Sequence, residues 1–162
     1  KTACFLQAVL PFSLQNSLLL AGCFAFQFAF KIGFVMLFAH WMLLLASFLP
    51  IIAITPAKMK RGYDNRNPRE FLDKLPAGSM PKRMVAAQAN SWEALMMFAP
   101  AVLLATMRGV EASTLNWLAG LFILARVVYV WCYAKDLSTP RSLVWTVGVL
   151  CVIGLYIASA LV

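Results

Sequence analysis

The chain has 162 residues, of which 62% are hydrophobic and only 12% are charged. A soluble globular chain carries about 25% charged residues, so this composition excludes that class. Several apolar runs reach the roughly 20 residues that a membrane-spanning helix needs, and none alternates as a barrel strand does. The sequence therefore predicts an all-α integral membrane protein that crosses a lipid bilayer several times.

The net charge of +8 does not indicate a nucleic-acid partner. Most of the basic residues lie in one loop between apolar runs, where positive charge sets membrane orientation and meets anionic lipid. The cysteines form no C-x-x-C pair, and His40 is the single histidine. We therefore predict neither a metal site nor a disulfide.

Residues 1–31 form the first segment, which is apolar between Lys1 and Lys31. Within it we interpret residues 12–30 as an extra N-terminal hydrophobic helix that spans the membrane or lies against the other helices.

The remainder, residues 32–162, reads as a bundle of four transmembrane helices. The predicted spans are about 32–55, 84–107, 113–134 and 142–162. Pro56 is expected to stop the first of them, because proline disrupts a helix interior. We expect residues 56–83 to be an irregular loop with one helical turn at 68–74.

Charge differs between the loops. Residues 56–83 carry eight basic and three acidic side chains, and residues 135–141 carry two and one, whereas the turn at 108–112 is balanced. Loops rich in Lys and Arg stay on the cytoplasmic side. The two basic loops are therefore predicted to face the cytoplasm of a bacterial inner membrane, or the matrix side of an organelle membrane.

The second span carries a polar stripe. On a 3.6-residue period, Arg83, Ala86, Asn90, Glu93 and Met97 share one face. Glu93 lies about 15 Å deeper than Arg83 along the helix axis. A charge at that depth costs at least about 3 kcal/mol unless protein, water or a ligand meets it. The stripe alone leaves two interpretations open, a binding site and a polar clamp between helices.

The third span repeats this feature. Arg126, Tyr129 and Tyr133 stand at i, i+3 and i+7, which is one helix face. Because helices two and three are joined by a short turn, Glu93 and Arg126 are expected at similar depth. We predict that they form an intramembrane ion pair.

More polar side chains collect where the helices meet the basic loops: Gln88, Asn90, Tyr133, Arg141 and Ser142. An arginine there suits a small anionic ligand, because its guanidinium binds carboxylates in two-pronged geometry and stabilises a thiolate.

Three motifs carry a family resemblance. The run R-M-V-A-A-Q-A-N-S-W-E with F-A-P-A, the run A-R-V-V-Y-V-W-C-Y, and the run S-T-P-R-S-L-V-W lie in order along the predicted second, third and fourth spans. Together they resemble the membrane-associated proteins in eicosanoid and glutathione metabolism, the MAPEG family, in its bacterial-type form. The resemblance covers roughly residues 33–162.

The resemblance implies a homotrimer of four-helix subunits that binds glutathione, as a co-substrate, between neighbours. Arg141 matches the arginine that stabilises the glutathione thiolate, which makes it the expected catalytic residue. Gln88 would reach the site from a neighbouring subunit. The other residues implied to line or brace the site are Arg83, Asn90, Glu93, Arg126, Tyr129 and Tyr133.

The function predicted is that of a glutathione transferase or peroxidase type of enzyme, which conjugates or reduces lipophilic electrophiles. The alternative is a non-catalytic accessory subunit of a larger membrane complex, with residues 1–31 as its docking element. Ala86 favours this alternative, because it stands where the eicosanoid synthases carry a second arginine. A transporter is weaker, since no pair of broken helices appears at mid-membrane.

Overall fold

The computed structural model describes residues 37–162, and within that range every regular element is a helix. This confirms the all-α prediction. The helices are α1 (Phe38–Lys58), α2 (Pro68–Asp73), α3 (Met80–Arg108), α4 (Ala112–Lys135) and α5 (Ser138–Leu161). The helix predicted at 12–30 and the start of the span predicted at 32–55 lie outside the described residues.

The first long helix corrects one sequence prediction. α1 contains both Pro50 and Pro56, so Pro56 does not stop it. A proline removes its own N–H from the helical ladder and crowds the preceding turn, but here the neighbouring groups remain bonded. The Thr55 hydroxyl donates to the Ile51 carbonyl at 2.9 Å, and the Met59 N–H donates to the Thr55 carbonyl at 2.9 Å. The turn around Pro56 therefore stays closed.

The four long helices run up and down, and side chains tie their ends together. Arg83 at the start of α3 donates to the carbonyls of Tyr133 and Ala134 at the end of α4, at 2.9 and 3.2 Å. At the other end Arg108 of α3 donates to the carbonyl of Ser159 in α5 at 3.1 Å. We call the end with α2 and the loop 59–79 the basic end. Cations beside the last carbonyls of a helix also complement its dipole.

Small residues recur on the buried faces of α1 and α3. These two helices make the most extensive contact in the described chain. Each carries an alanine every seven residues, all at most 5% exposed: Ala39, Ala46 and Ala53 on α1, and Ala87, Ala94 and Ala101 on α3. Small side chains let helix backbones approach closely in a membrane, where van der Waals packing drives association. Each of the two helices therefore presents a row of small residues to the interior of the bundle.

The short helix α2 docks on the basic end. Phe71 and Leu72 pack against a buried cluster that includes Ile54 of α1. The Lys82 ammonium donates to the carbonyls of Leu72 and Asp73, at 3.1 and 3.0 Å, where α2 ends. The helical turn predicted at 68–74 is therefore confirmed, and the loop that contains it is anchored to the bundle.

The bundle has the surface of a membrane protein. α1, α4 and α5 are long and apolar enough to cross a bilayer by length and composition. Large apolar side chains face outward from them, including Ile52, Trp117 and Leu124. α3 is the longest helix, with 29 residues, and its first half carries the polar side chains that the sequence analysis singled out.

Candidate functional site

A groove of about 500 Å³ opens at the basic end of the bundle. It is lined by Asn90 of α3, by Tyr129 and Tyr133 of α4, and by Arg141, Ser142, Trp145 and Thr146 of α5. Five of the residues predicted for the site therefore line a common surface. They come from three helices, so the groove depends on the packing of the bundle as a whole.

A column of two aromatic rings between two cations runs along this groove, and three of its four members line it. The guanidinium carbon of Arg126 lies 4.1 Å from the centroid of the Tyr129 ring. The rings of Tyr129 and Tyr133 meet edge to face, with centroids 5.2 Å apart and planes at 69°. The guanidinium carbon of Arg141 lies 4.5 Å from the Tyr133 centroid. We call these four residues the Arg–Tyr column.

The guanidinium of Arg141 is held by a ring face instead of a carboxylate. Residues 37–162 contain two ion pairs, and neither includes Arg141. No side-chain hydrogen bond within that range uses the N–H groups of its guanidinium, which lies over the Tyr133 ring. A cation over an aromatic face is stabilised without losing its in-plane N–H groups. Arg141 can therefore donate to an anion in the groove.

Arg126, at the other end of the column, is 2% exposed. One of its terminal nitrogens donates to the Ser91 hydroxyl of α3 at 3.3 Å. Its Nε is buried without a partner in the described chain. Sequence reasoning placed Arg126, Tyr129 and Tyr133 on one helix face, and the structure confirms that arrangement.

The predicted ion pair between Glu93 and Arg126 is wrong. Neither ion pair in residues 37–162 contains Glu93, which is exposed and accepts instead from the Asn90 amide at 3.0 Å. The reason is a rotation of α3. Its buried face runs through Ala87, Ser91 and neighbouring positions, one residue and hence about 100° away from the polar stripe.

Arg83 braces the site without lining it. Besides its bonds to the carbonyls of Tyr133 and Ala134, it donates to the Gly78 carbonyl. Its guanidinium also lies 3.4 Å from the carboxylate of Asp136, whose φ of 60° turns the chain from α4 into α5. Arg83 thereby fixes the end of α4 where Tyr133 enters the groove.

Of Asn90 and Gln88, both on α3, only Asn90 lines the groove. The Asn90 amide reaches the groove, and its oxygen is a buried acceptor with no donor in the described chain. A bound ligand with an amine or amide donor would satisfy that oxygen. Gln88 is half-buried and does not line the groove of its own chain.

Sequence reasoning missed three residues here. Trp145 stands four residues after Arg141, so the i, i+4 spacing would have placed it on the same face. Thr146 is its neighbour in the lining. Ser91 carries no such signal, because it lies off the polar stripe and only the observed rotation of α3 brings it to Arg126.

A second groove lies at the opposite end of the bundle and is unrelated to this chemistry. It measures about 670 Å³ and is lined by Phe38, Ser113, Asn116, Trp117, Leu118, Gly120, Leu121 and Leu124. None of these side chains is ionisable, so this groove offers no charge to an anionic ligand.

Comparison with known proteins agrees with these observations. The model of the MAPEG family matches residues 32–161, so the chain belongs to the MAPEG family. That family includes glutathione-dependent membrane enzymes as well as other proteins. No curated protein and no solved structure matches the chain. The match covers all the described helices and thus the whole groove.

Proposed function

We propose that this protein binds glutathione in the groove at the basic end and conjugates it to, or uses it to reduce, lipophilic electrophiles. The observation that carries the proposal is the placement of Arg141. Its guanidinium projects into a polar groove with its donors uncommitted, in a chain of the MAPEG family. Such a group suits the carboxylates and the sulfur of a small anionic thiol.

The chemistry needs a thiolate near neutral pH. A free thiol titrates near pH 8.5, and a cation within a few ångström of the sulfur lowers that value. Arg141 is placed to supply this cation. In conjugation the thiolate forms a C–S bond with the electrophilic carbon, and the leaving group departs with its electron pair. In reduction two glutathiones transfer two electrons and two protons to the lipophilic substrate and become one disulfide.

The rest of the groove suits the peptide part of glutathione. The unpartnered oxygen of Asn90 accepts from an ammonium or amide donor. Ser142 and Thr146 add hydroxyl groups to the lining. These contacts bind and orient glutathione, whereas Arg141 alters its ionisation.

The bilayer is the expected source of the second substrate. α5 exposes Leu143, Trp145 and Val147 beside the groove, and Trp145 is also part of its lining. A lipophilic electrophile dissolved in the membrane can therefore approach the groove laterally, while glutathione enters from the aqueous side.

Exposed side chains on α3 support the proposal that the protein is a homotrimer. Glu93, Trp92 and Met96 are all exposed on the single chain, although Glu93 lies deep along the helix. A carboxylate facing lipid costs at least about 3 kcal/mol, so a second protein surface is expected to cover it. A neighbouring copy would do so, and would bring its own Gln88 towards the groove.

Purified protein in detergent provides the test. Glutathione should produce the ultraviolet difference absorbance of a thiolate at pH 7, and a generic aromatic electrophile should be turned over. Arg141→Ala should lose most of both, about 100- to 1,000-fold in turnover, because it removes a preorganised donor. Arg141→Lys should recover part, since it restores the charge without the two-pronged geometry.

The matched control is Arg69→Ala, which removes an equal charge from the exposed face of α2 and should change neither signal. If the wild-type protein neither binds millimolar glutathione nor turns over the electrophile, the enzyme proposal fails. The accessory-subunit alternative then takes its place. It is favoured by Ala86, which is exposed on α3 where the eicosanoid synthases carry an arginine.

A further inference from the structure

Two buried serines of this chain are chemically alike but differently connected. Ser91 in α3 is 3% exposed and Ser159 in α5 is 2% exposed. Each donates its hydroxyl proton to the carbonyl four residues earlier, Ala87 and Leu155 respectively, at 2.7 Å. Only the Ser91 hydroxyl also accepts a hydrogen bond from a buried charge, Arg126.

The hydroxyl of Ser91 is an oriented acceptor. Because its proton is committed to the Ala87 carbonyl, its lone pairs remain for the guanidinium of Arg126. Among residues 37–162 no carboxylate forms an ion pair with Arg126; its guanidinium lies over the Tyr129 ring, and Glu93 acts on it only at longer range. A buried cation with so few partners takes its position from each of them.

That position extends to the groove through direct contacts. Arg126 lies over the ring of Tyr129, Tyr129 meets Tyr133 edge to face, and Tyr133 carries Arg141. Ser91 and the column together thus connect the buried face of α3, through α4, to the first turn of α5. Displacement of Arg126 would therefore move the Tyr133 ring, over which Arg141 lies.

We propose that Ser91 is a positioning residue: it fixes Arg126, and through the Arg–Tyr column it sets the position of Arg141 over the groove. The role in catalysis rests on the proposed function. Ser91 itself does not line the groove, so it acts on a bound thiol only through other side chains.

The test compares Ser91→Ala with Ser159→Ala, which removes the same hydroxyl and the same local bond without touching the column. Both should lower the unfolding temperature, Ser91→Ala by more, because it also removes a hydrogen-bond partner of the buried Arg126. In the absence of glutathione, Ser91→Ala alone should change the near-ultraviolet circular dichroism of the tyrosines, because the coupling between Tyr129 and Tyr133 depends on their geometry.

With glutathione bound, Ser91→Ala should raise the pH midpoint of thiolate formation by about one unit, since an opposite charge in place is worth about one to three units. Ser91→Thr keeps the acceptor and should restore the wild-type midpoint. Ser159→Ala should leave the midpoint unchanged.

The two possible failures are distinguishable. If Ser91→Ala matches Ser159→Ala in both the tyrosine spectrum and the thiolate midpoint, the positioning role is overturned. If the wild type forms no glutathione thiolate, the proposed function falls. The tyrosine spectrum then decides alone whether Ser91 fixes the column.

Discussion

The guanidinium carbon of Arg141 lies 4.5 Å from the centroid of the Tyr133 ring, on the surface of the groove. This places a permanent cation at the opening of a polar site without a carboxylate to neutralise it among residues 37–162. An arginine that only anchored a helix end at the lipid headgroups would not need an aromatic platform. The pairing ties the position of a residue on α5 to a ring on α4.

Tyr133 should therefore act on turnover through its ring. Tyr133→Leu removes the aromatic face and should lower kcat about 3- to 30-fold, corresponding to a cation–π contact of ~0.5–2 kcal/mol. Tyr133→Phe keeps the ring and should retain most of kcat. Steady-state kinetics of both variants check this, and equal losses in the two would show that the hydroxyl, not the ring, matters.

We expect Arg83 to stabilise the fold and not to bind glutathione. Arg83→Ala removes charged hydrogen bonds to the carbonyls at the end of α4 and should lower the unfolding free energy by about 2–3 kcal/mol. The control is Lys74→Ala, which breaks an exposed pair with Glu70 worth at most about 1 kcal/mol. Denaturation in detergent measures both. A folded Arg83→Ala protein of normal stability that had lost glutathione affinity would contradict this role.

The buried alanine rows of α1 and α3 should tolerate no enlargement. Ala101 of α3 is fully buried in the core of the bundle. Ala101→Leu should lower the unfolding free energy by about 1–3 kcal/mol through overpacking. Ala160→Leu adds the same volume at an exposed position of α5 and serves as the control. Similar unfolding temperatures for the two variants would argue against close packing around Ala101.

The orientation in the membrane can be tested by labelling. Asn65 and Ser138 are exposed at the basic end, and Glu111 is exposed at the opposite end. In a cysteine-free background, Asn65→Cys and Ser138→Cys should resist an impermeant reagent added outside intact cells, whereas Glu111→Cys should react. Labelling of Asn65→Cys or Ser138→Cys would reverse the predicted orientation.

Most of the fold could be predicted from the sequence, because hydropathy and span length dictate where helices form in a bilayer. The ends of α3, α4 and α5 lie within a few residues of the predicted ends. Their starts lie up to four residues before the predicted starts. Pro56 was misread because an isolated proline removes a single hydrogen bond, and the helix continues when neighbouring groups stay bonded.

The site was only partly predictable. Periodicity correctly grouped Arg126, Tyr129 and Tyr133, because it fixes which side chains share a face of one helix. It cannot tell which way that helix is rotated against its neighbours. That rotation is set by the buried alanines of α3, which turn Ser91 inward and Glu93 outward. The error about the Glu93–Arg126 pair and the omission of Ser91 have this one cause.

A calorimetric titration of glutathione into the purified wild-type protein tests the central claim most directly. We expect saturable heat at millimolar or lower glutathione. Asn90→Leu, which removes the unpartnered groove acceptor, should weaken the affinity about tenfold, a loss of ~1.4 kcal/mol. The Arg69→Ala control should bind as the wild type does. Absence of saturable heat at millimolar glutathione in folded wild-type protein would contradict a glutathione site in this groove.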